Sequence, residues 1–528
     1  MIRKYLNVSF FIFLVFYLLF LKIDFRFAET IYCCGDDHDY FIHAETIAED
    51  FDLNYSNQLE GIEDKRFNKN GKIAPIGFIG SGILAAPFLF VGNIFDSIMS
   101  SYIGSENKLL NYKLLFYSLS PIFYFFLSFK LIISTLRIFD IKHKKNEVLS
   151  FLCGSGVIYY AFERFSMTHV YEVFSGVLIF YLSAKYYVSP NKQNLAAFLI
   201  PLSILLGLLI RWTNYFYIII PLICKILFKT KIKNKIPLFK TAYFQFSNII
   251  SIFLFLIHTK ILYGKVTVDP RYVYSTNINL NDFGSLGSNP DNSIVFDYLN
   301  SLRIIFFSQE FGSIYFSPII SFCFILLVIK LFNKSIKLSH GIIIMMSYFQ
   351  VFSLYFIWQS SGSAYGLRYL YGLIPLSIFC YYSLIENKKT GIFHNLLLLA
   401  SAFSILSVLF FETTEGTQLS LEGIINSWGH GSMYAQRYYL TGLFSSFFVF
   451  DAYLKIFTTS FLGAIIFKII LTFLSVNNLN ILLLNFGLPV ENNDFQIFLE
   501  EVNSIRLDTF LIVVFFGGLL ISFFYKKV

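Results

Sequence analysis

Two adjacent carboxylates, Asp36 and Asp37, stand just before a run in which Tyr40, Phe41, Ala44, Ile47, Ala48 and Phe51 recur at helical spacing. Such a run predicts an amphipathic helix able to lie in a membrane interface. Carboxylates at its start face the positive end of the helix dipole, which favours their ionised form. An ionised carboxylate held at a bilayer surface suits a general base acting where one substrate is lipid-linked. The plainer reading is a helix cap followed by a solvated acidic loop, since Glu29, Glu45, Glu49, Asp50, Asp52, Glu60, Glu63 and Asp64 lie nearby. Asp37-His38-Asp39 has the D-x-D spacing that holds a metal and a nucleotide sugar in soluble transferases. Neither a Gly-rich phosphate loop nor a doubly wound sheet pattern accompanies it. Asp36, Asp37 and Asp39 are the acids that would hold a divalent cation, should one be used.

Later in the chain, His169 and Glu172 share a helix face through their i, i+3 spacing. Arg211 and Arg368 stand at the ends of apolar runs. Either can snorkel to the interface. A guanidinium is also the natural fork for a phosphate. Lys72 reads as an interfacial anchor or as a third phosphate-binding cation.

These residues need elements to carry them, and the composition says what kind. Of 528 residues, 56% are hydrophobic and 14% charged, with 66 Phe and 35 Tyr. Polar residues are too few to cover a soluble fold of this length. The expectation is an all-α polytopic membrane protein, a single integral domain of roughly 11 to 14 spans, each needing about 20 apolar residues. The net charge of +8 does not gather on a polar face, so no nucleic-acid partner is expected. The cysteines carry no metal or redox spacing: Cys33 and Cys34 are adjacent, and Cys153, Cys224, Cys323 and Cys380 lie in apolar runs. Residues 5–21 read as an uncleaved first span rather than a signal peptide.

Short basic loops mark the cytoplasmic side. Arg3 and Lys4, then Lys142, Lys144 and Lys145, then Lys229 to Lys235, Lys334 with Lys337, Lys388 with Lys389, and Lys526 with Lys527 form that series. The parity is consistent if the apolar stretch Ile73 to Met99, rich in Gly and Pro, does not cross. It reads as interfacial or re-entrant on the outer face. The chain then divides into a first outer loop with juxtamembrane helices (23–111), core helices (112–411) and C-terminal outer loops and helices (412–528). All long loops face outward.

Gly35-Asp36-Asp37-His38-Asp39-Tyr40, with Ala44, Asp50-Phe51-Asp52-Leu53 and Asn57, resembles the opening loop of the GT-C membrane glycosyltransferases. That superfamily includes the protein O-mannosyltransferases and the lipid A aminoarabinose transferases. Lys72-Ile73-Ala74-Pro75-Ile76-Gly77, running to Ala85-Ala86-Pro87-Phe88, resembles the segment that follows in the family. Thr168-His169-Val170-Tyr171-Glu172 is similar to a His-x-x-Glu at an outer helix end. Arg211-Trp212-Thr213-Asn214 resembles an outward Arg-x-Thr turn. Phe311-Gly312-Ser313 with Ser317-Pro318, and Trp358-Gln359 through Arg368-Tyr369, resemble the late outer loops. The resemblance covers roughly Asp36 to Pro375.

It implies a GT-C-like bundle that moves a sugar from a polyprenyl-phosphate donor to an acceptor hydroxyl on a lipid, glycan or protein, with inversion. Asp36 falls on the family's catalytic aspartate. Asp37 stands where most members have Glu, and Tyr40 on the aromatic three residues later. Arg211 or Arg368, with Lys72, would hold the phosphate, and His169 and Glu172 would support. The expected setting is a bacterial inner membrane, with the site facing outward. Two other classes fit the same topology: an O-antigen-type polymerase or ligase, and a lipid or sugar transporter or flippase. The first usually carries its large loop late. The second predicts inverted repeats and midplane charges, which the sequence does not display.

Overall fold

The computed structural model describes residues 8–23, 31, 36–59, 68–69, 72–75, 77–103, 111–189, 192–234, 236–268, 294–309, 311–357, 365–385, 391–410, 444, 447–448, 450–485 and 493–527. The chain is an all-α polytopic membrane protein. Among the described residues, its strands are limited to one antiparallel pair, Asn68–Lys69 with Lys72–Ile73. Among the described residues, seven helices are long and apolar enough to cross a membrane, or eight if one bent pair counts as a span. Four further apolar helices, Phe10–Phe20, Trp212–Leu227, Tyr298–Phe307 and Pro318–Phe332, are shorter. The expected outer loop 412–437 and most of the run 440–454 lie outside the described residues.

Helix α1 (Val8–Phe20) leads to α2 (Asp36–Glu45), which tightens into a π turn at Thr46–Asp50. The stretch expected to be interfacial or re-entrant carries one continuous helix, α3 (Gly80–Ile103), with Pro87 inside it; its length and hydropathy alone would also suffice for a crossing. A Cβ on Gly80 would strike Leu209 and Ile210, and one on Gly92 would strike Tyr112 and Lys113. The first half of α3 therefore joins the end of α8 (Gln193–Ile210) to the start of α4 (Tyr112–Ile138). Asn111 caps α4 by accepting from the Leu114 amide at 3.3 Å.

A broken helix follows. α5 (Lys145–Leu152) and α6 (Ile158–Phe162) are separated by a π turn in which Gly156 has φ 83°. A Cβ there would lie 2.5 Å from the Tyr371 hydroxyl, so only glycine fits. Next come α7 (His169–Val188) and α8, then a 3-10 turn, Trp212–Ile219, running into α9 (Ile220–Leu227). α10 (Ala242–Tyr263) ends at Gly264 in the left-handed region. The remainder comprises α11 (Ile294–Phe307), α12 (Pro318–Phe332), α13 (Leu338–Ile357), a 3-10 turn Arg368–Leu373 entering α14 (Ile374–Leu384), and α15 (Ile392–Phe410). The C-terminal helices are α16 (Phe450–Thr459), α17 (Phe461–Leu471), α18 (Val476–Asn485), α19 (Asn493–Ser504) and α20 (Leu507–Lys527). α17 and α18 form the bent pair, at 111°. Pro221, Pro318 and Pro375 each occupy a first helical turn, where a missing amide hydrogen costs nothing.

The bundle has two distinct ends. At one, Phe139 stacks on Phe228 at 4.0 Å, and the amides of Lys233 and Asn234 cap the Tyr187 carbonyl. Lys142, Lys144, Lys145, Lys229 and Lys231 gather there, and we call it the basic end. At the other lie α2, the starts of α4 and α7, and the ends of α8 and α10. Lys113 bridges Glu45 at 2.5 Å and also reaches Glu49, and Tyr263 donates to the Gly77 carbonyl at 3.1 Å.

Candidate functional site

The two aspartates open α2, and successive side chains on a helix point about 100° apart. Asp36 and Asp37 therefore go to different partners. Asp37 turns into the protein. Its Oδ2 accepts from Arg164 Nε at 3.0 Å and Nη2 at 2.5 Å, and its Oδ1 accepts from the Ser166 hydroxyl. Both Arg164 and Ser166 belong to the turn between α6 and α7. This pair is largely buried, with 7% of Asp37's side chain exposed. Both carboxylate oxygens are engaged by buried donors, so Asp37 clamps the first turn of α2 onto the bundle.

Asp36 stays open. Its Oδ2 accepts from Arg368 Nη1 at 2.7 Å, its Oδ1 has no hydrogen bond among the described residues, and 38% of its side chain is exposed. Burial pushes its carboxyl up. The charges of Arg368, Arg211 and Arg164 push it down further, and the net effect is a value below the ordinary carboxylate range. Asp36 is an ionised carboxylate under three guanidinium groups.

Arg211 ends α8 and is fixed from behind. Its Nη1 lies 3.1 Å from His169 Nδ1 and 3.9 Å from Glu172 Oε2, while His169 Nδ1 also lies 3.2 Å from that same oxygen. Arginine only donates, so the ring either accepts from Arg211 or donates to Glu172. The expected i, i+3 pairing of His169 with Glu172 is present, and both side chains are wholly buried. Nε and Nη2 of Arg211 make no hydrogen bond to the described residues. Tyr369 joins the two halves of the cluster. Arg211 lies 4.5 Å and Arg368 5.3 Å from the centre of its ring, within cation–π range. Tyr160 and Tyr371 wall the other side of His169, at 4.3 and 5.1 Å between ring centres.

Behind α2 lies a supporting layer. His43 shares a face with Asp36 and Tyr40. Its Nδ1 is 2.8 Å from the Tyr55 hydroxyl and its Nε2 2.8 Å from the Gly77 carbonyl. Burial lowers its pKa to about 4, so the ring is neutral and bridges two segments as one donor and one acceptor. Tyr40 is buried, and a Cβ on Gly77 would lie 2.5 Å from its ring. Burial and the nearby Asp36 charge raise the Tyr40 hydroxyl above its usual value, so it stays protonated.

The structure brings together Asp36, Asp37, Tyr40, His169, Glu172, Arg211 and Arg368 of the sequence-derived set. It does not bring Lys72 to them. That residue is exposed on the short strand, with no hydrogen bond or ion pair to the cluster among the described residues. Among the described residues, no group of three His, Cys, Asp or Glu side chains could hold a metal ion. Asp39 is buried on α2, and Asp36 and Asp37 are each committed to an arginine. The three acids named for a possible divalent cation do not gather into one site among the described residues. Sequence reasoning missed Arg164, Tyr369 as a bridging ring, and His43. Arg164 carried the same signal as Arg211 and Arg368: a cation ending an apolar run at the end away from the basic loops.

Comparison of the chain with family models, with curated proteins and with solved structures finds no match.

Proposed function

We propose that the protein is a membrane glycosyltransferase of the GT-C type, using a polyprenyl-phosphate-linked sugar at its outward face. One observation carries the reading: an open, ionised carboxylate and an open guanidinium meet at the end of the bundle opposite the basic loops. The positive-inside bias assigns the basic end to the cytoplasm. Cations at the other end run against that bias and call for a local reason, which an anionic headgroup supplies.

In this mechanism Asp36 Oδ1 takes the proton of an acceptor hydroxyl. The acceptor oxygen forms its bond to the anomeric carbon from the face opposite the phosphate. The bond between that carbon and the phosphate oxygen breaks, and its electron pair leaves on the phosphate. Charge grows on the phosphate during the step, and Arg211 meets it with preorganised donors, worth on the order of 10²–10³ in rate. General-base help from Asp36 is worth on the order of 10²–10⁴. Asp37 takes no proton; it anchors. His169 and Glu172 hold Arg211 in place. Tyr40 fills the wall beside Asp36.

The test uses the full chain in proteoliposomes with a panel of polyprenyl phosphates carrying radiolabelled sugars and a mixed acceptor extract. Label should leave the carrier with the unaltered protein, and not with Asp36→Asn. Full activity in that variant removes Asp36 from the mechanism. Label that crosses the bilayer still attached to its carrier makes the protein a flippase instead.

A further inference from the structure

We propose that Arg368 is a movable lock on Asp36, drawn off by the phosphate of the prenyl donor, so that the base is released only after the donor is seated. The proposal rests on the transferase reading and adds an order of events to it.

The two arginines at the site are held differently. Arg211 is braced by His169 and Glu172, and its Nε and Nη2 are uncommitted among the described residues. Arg368 enters from a 3-10 turn and gives Nη1 to Asp36 at 2.7 Å, with 19% of its side chain exposed. Both guanidinium groups approach one tyrosine ring, that of Tyr369. A phosphate docked on Arg211 would therefore come to rest beside Arg368. It offers Arg368 more charge than a single carboxylate does, and oxygens spaced for a two-pronged grip. Asp36 competes with one oxygen, partly in solvent, where an ion pair contributes little.

Movement of Arg368 changes both partners in the useful direction. Asp36 loses its nearest positive charge, so its affinity for a proton rises. The phosphate gains a second cation where charge will develop on leaving. Without donor, the locked carboxylate is a weak base and an acceptor hydroxyl finds no proton sink. The predicted order is donor first, acceptor second.

The test is equilibrium binding of radiolabelled decaprenyl phosphate, carrying no sugar, to the full chain in nanodiscs. If Asp36 competes for Arg368, deleting its charge frees the arginine for the phosphate. Asp36→Asn should then bind the probe roughly three- to tenfold tighter than the unaltered protein. Arg368→Ala should bind it more weakly, and adding Asp36→Asn to that background should change nothing further. Asp36→Ala, which removes the carboxylate without an amide, gives the same comparison should the Asn variant fail to fold. Unchanged or weaker binding in the Asp36 variants overturns the lock and leaves the transferase reading standing. No binding to the folded, unaltered protein overturns the transferase reading, and the lock with it.

Discussion

Both ends of the bundle hold acid–base pairs between helices far apart in sequence, yet they are built to opposite standards. At the basic end, Glu147 on α5 lies 3.5 Å from His394 Nε2 on α15 and 2.8 Å from Lys144. The other nitrogen of that ring lies 2.6 Å from the Tyr381 hydroxyl on α14. His394 is hydrogen-bonded at one nitrogen and faces a carboxylate at the other, and the group ties three helices together. At the far end, Asp36 and Arg211 keep atoms open in a field of three guanidinium groups. Satisfied polar clusters specify packing. A charged cluster left part-open spends stability that packing alone would not require, and such places are where chemistry is found. The contrast recurs inside the site: of two adjacent aspartates, one is closed by Arg164 and Ser166, and one is not.

The sharpest way to break this contrast is Asp36→Asn. An open, part-exposed group should matter to rate and little to folding. Transfer should fall on the order of 10²–10⁴-fold, the range of a lost general base, while the melting temperature in detergent stays near that of the unaltered protein. Asp37→Asn should behave the other way. It leaves Arg164 buried against a neutral amide, and breaking a buried pair costs about 3–5 kcal/mol. The expected result is a large drop in melting temperature, with transfer by the surviving folded fraction much less affected than in Asp36→Asn. Equal kinetic losses in both variants would erase the distinction between base and anchor.

The layer under α2 offers a smaller effect read by pH. His43 is held neutral with a pKa of about 4 against an ordinary value of 6.5. Above pH 6.5 both folded and unfolded chains carry a neutral ring, and the stability is fully present. As pH falls from 6.5 towards 4 the unfolded chain takes up a proton that the folded chain refuses. Stability therefore drops, by roughly 3 kcal/mol in all, and levels off below pH 4. Thermal unfolding across that window should show the slope, and His43→Gln should flatten it. A slope that survives the substitution places the acid-sensitive group elsewhere.

Much of the fold is legible from composition and hydrophobic runs, because a bilayer leaves helices as the natural spanning form. The breaks are not. The π turn at Cys153–Val157 holds Gly156 at a positive φ where a Cβ would meet the Tyr371 hydroxyl, and the 3-10 turn Arg368–Leu373 is buried from Tyr369 to Leu373. Neither has a local signature. In α3, Pro87 and the glycines around it read as breaks, yet the helix runs unbroken against α8 and α4. In the site, cations at the end away from the basic loops mark Arg211 and Arg368, and they mark Arg164 equally. Asp36 and Asp37 look equivalent in sequence, and only helix geometry sends them to different partners. Lys72 shows the limit: a charge in the right loop does not say where its side chain goes.

The closed cluster supplies the mildest test. Glu147 retains 18% of its side-chain surface, and its partners include Lys144, which is 81% exposed. An ion pair so near water contributes little. Glu147→Gln keeps the size of the side chain and a carbonyl oxygen facing His394, so the tie between α5 and α15 loses its charge but not its shape. A melting temperature lowered by a few degrees or less, with unaltered transfer and unaltered decaprenyl phosphate binding, is the expected result. A loss of transfer as deep as that of Asp36→Asn would mean that the two ends of the bundle act on one another through the broken helix α5–α6, which carries Glu147 and ends at Phe162, two residues before Arg164. In that event the basic end would belong to the catalytic machinery, and the division between a closed scaffold and an open site would not hold.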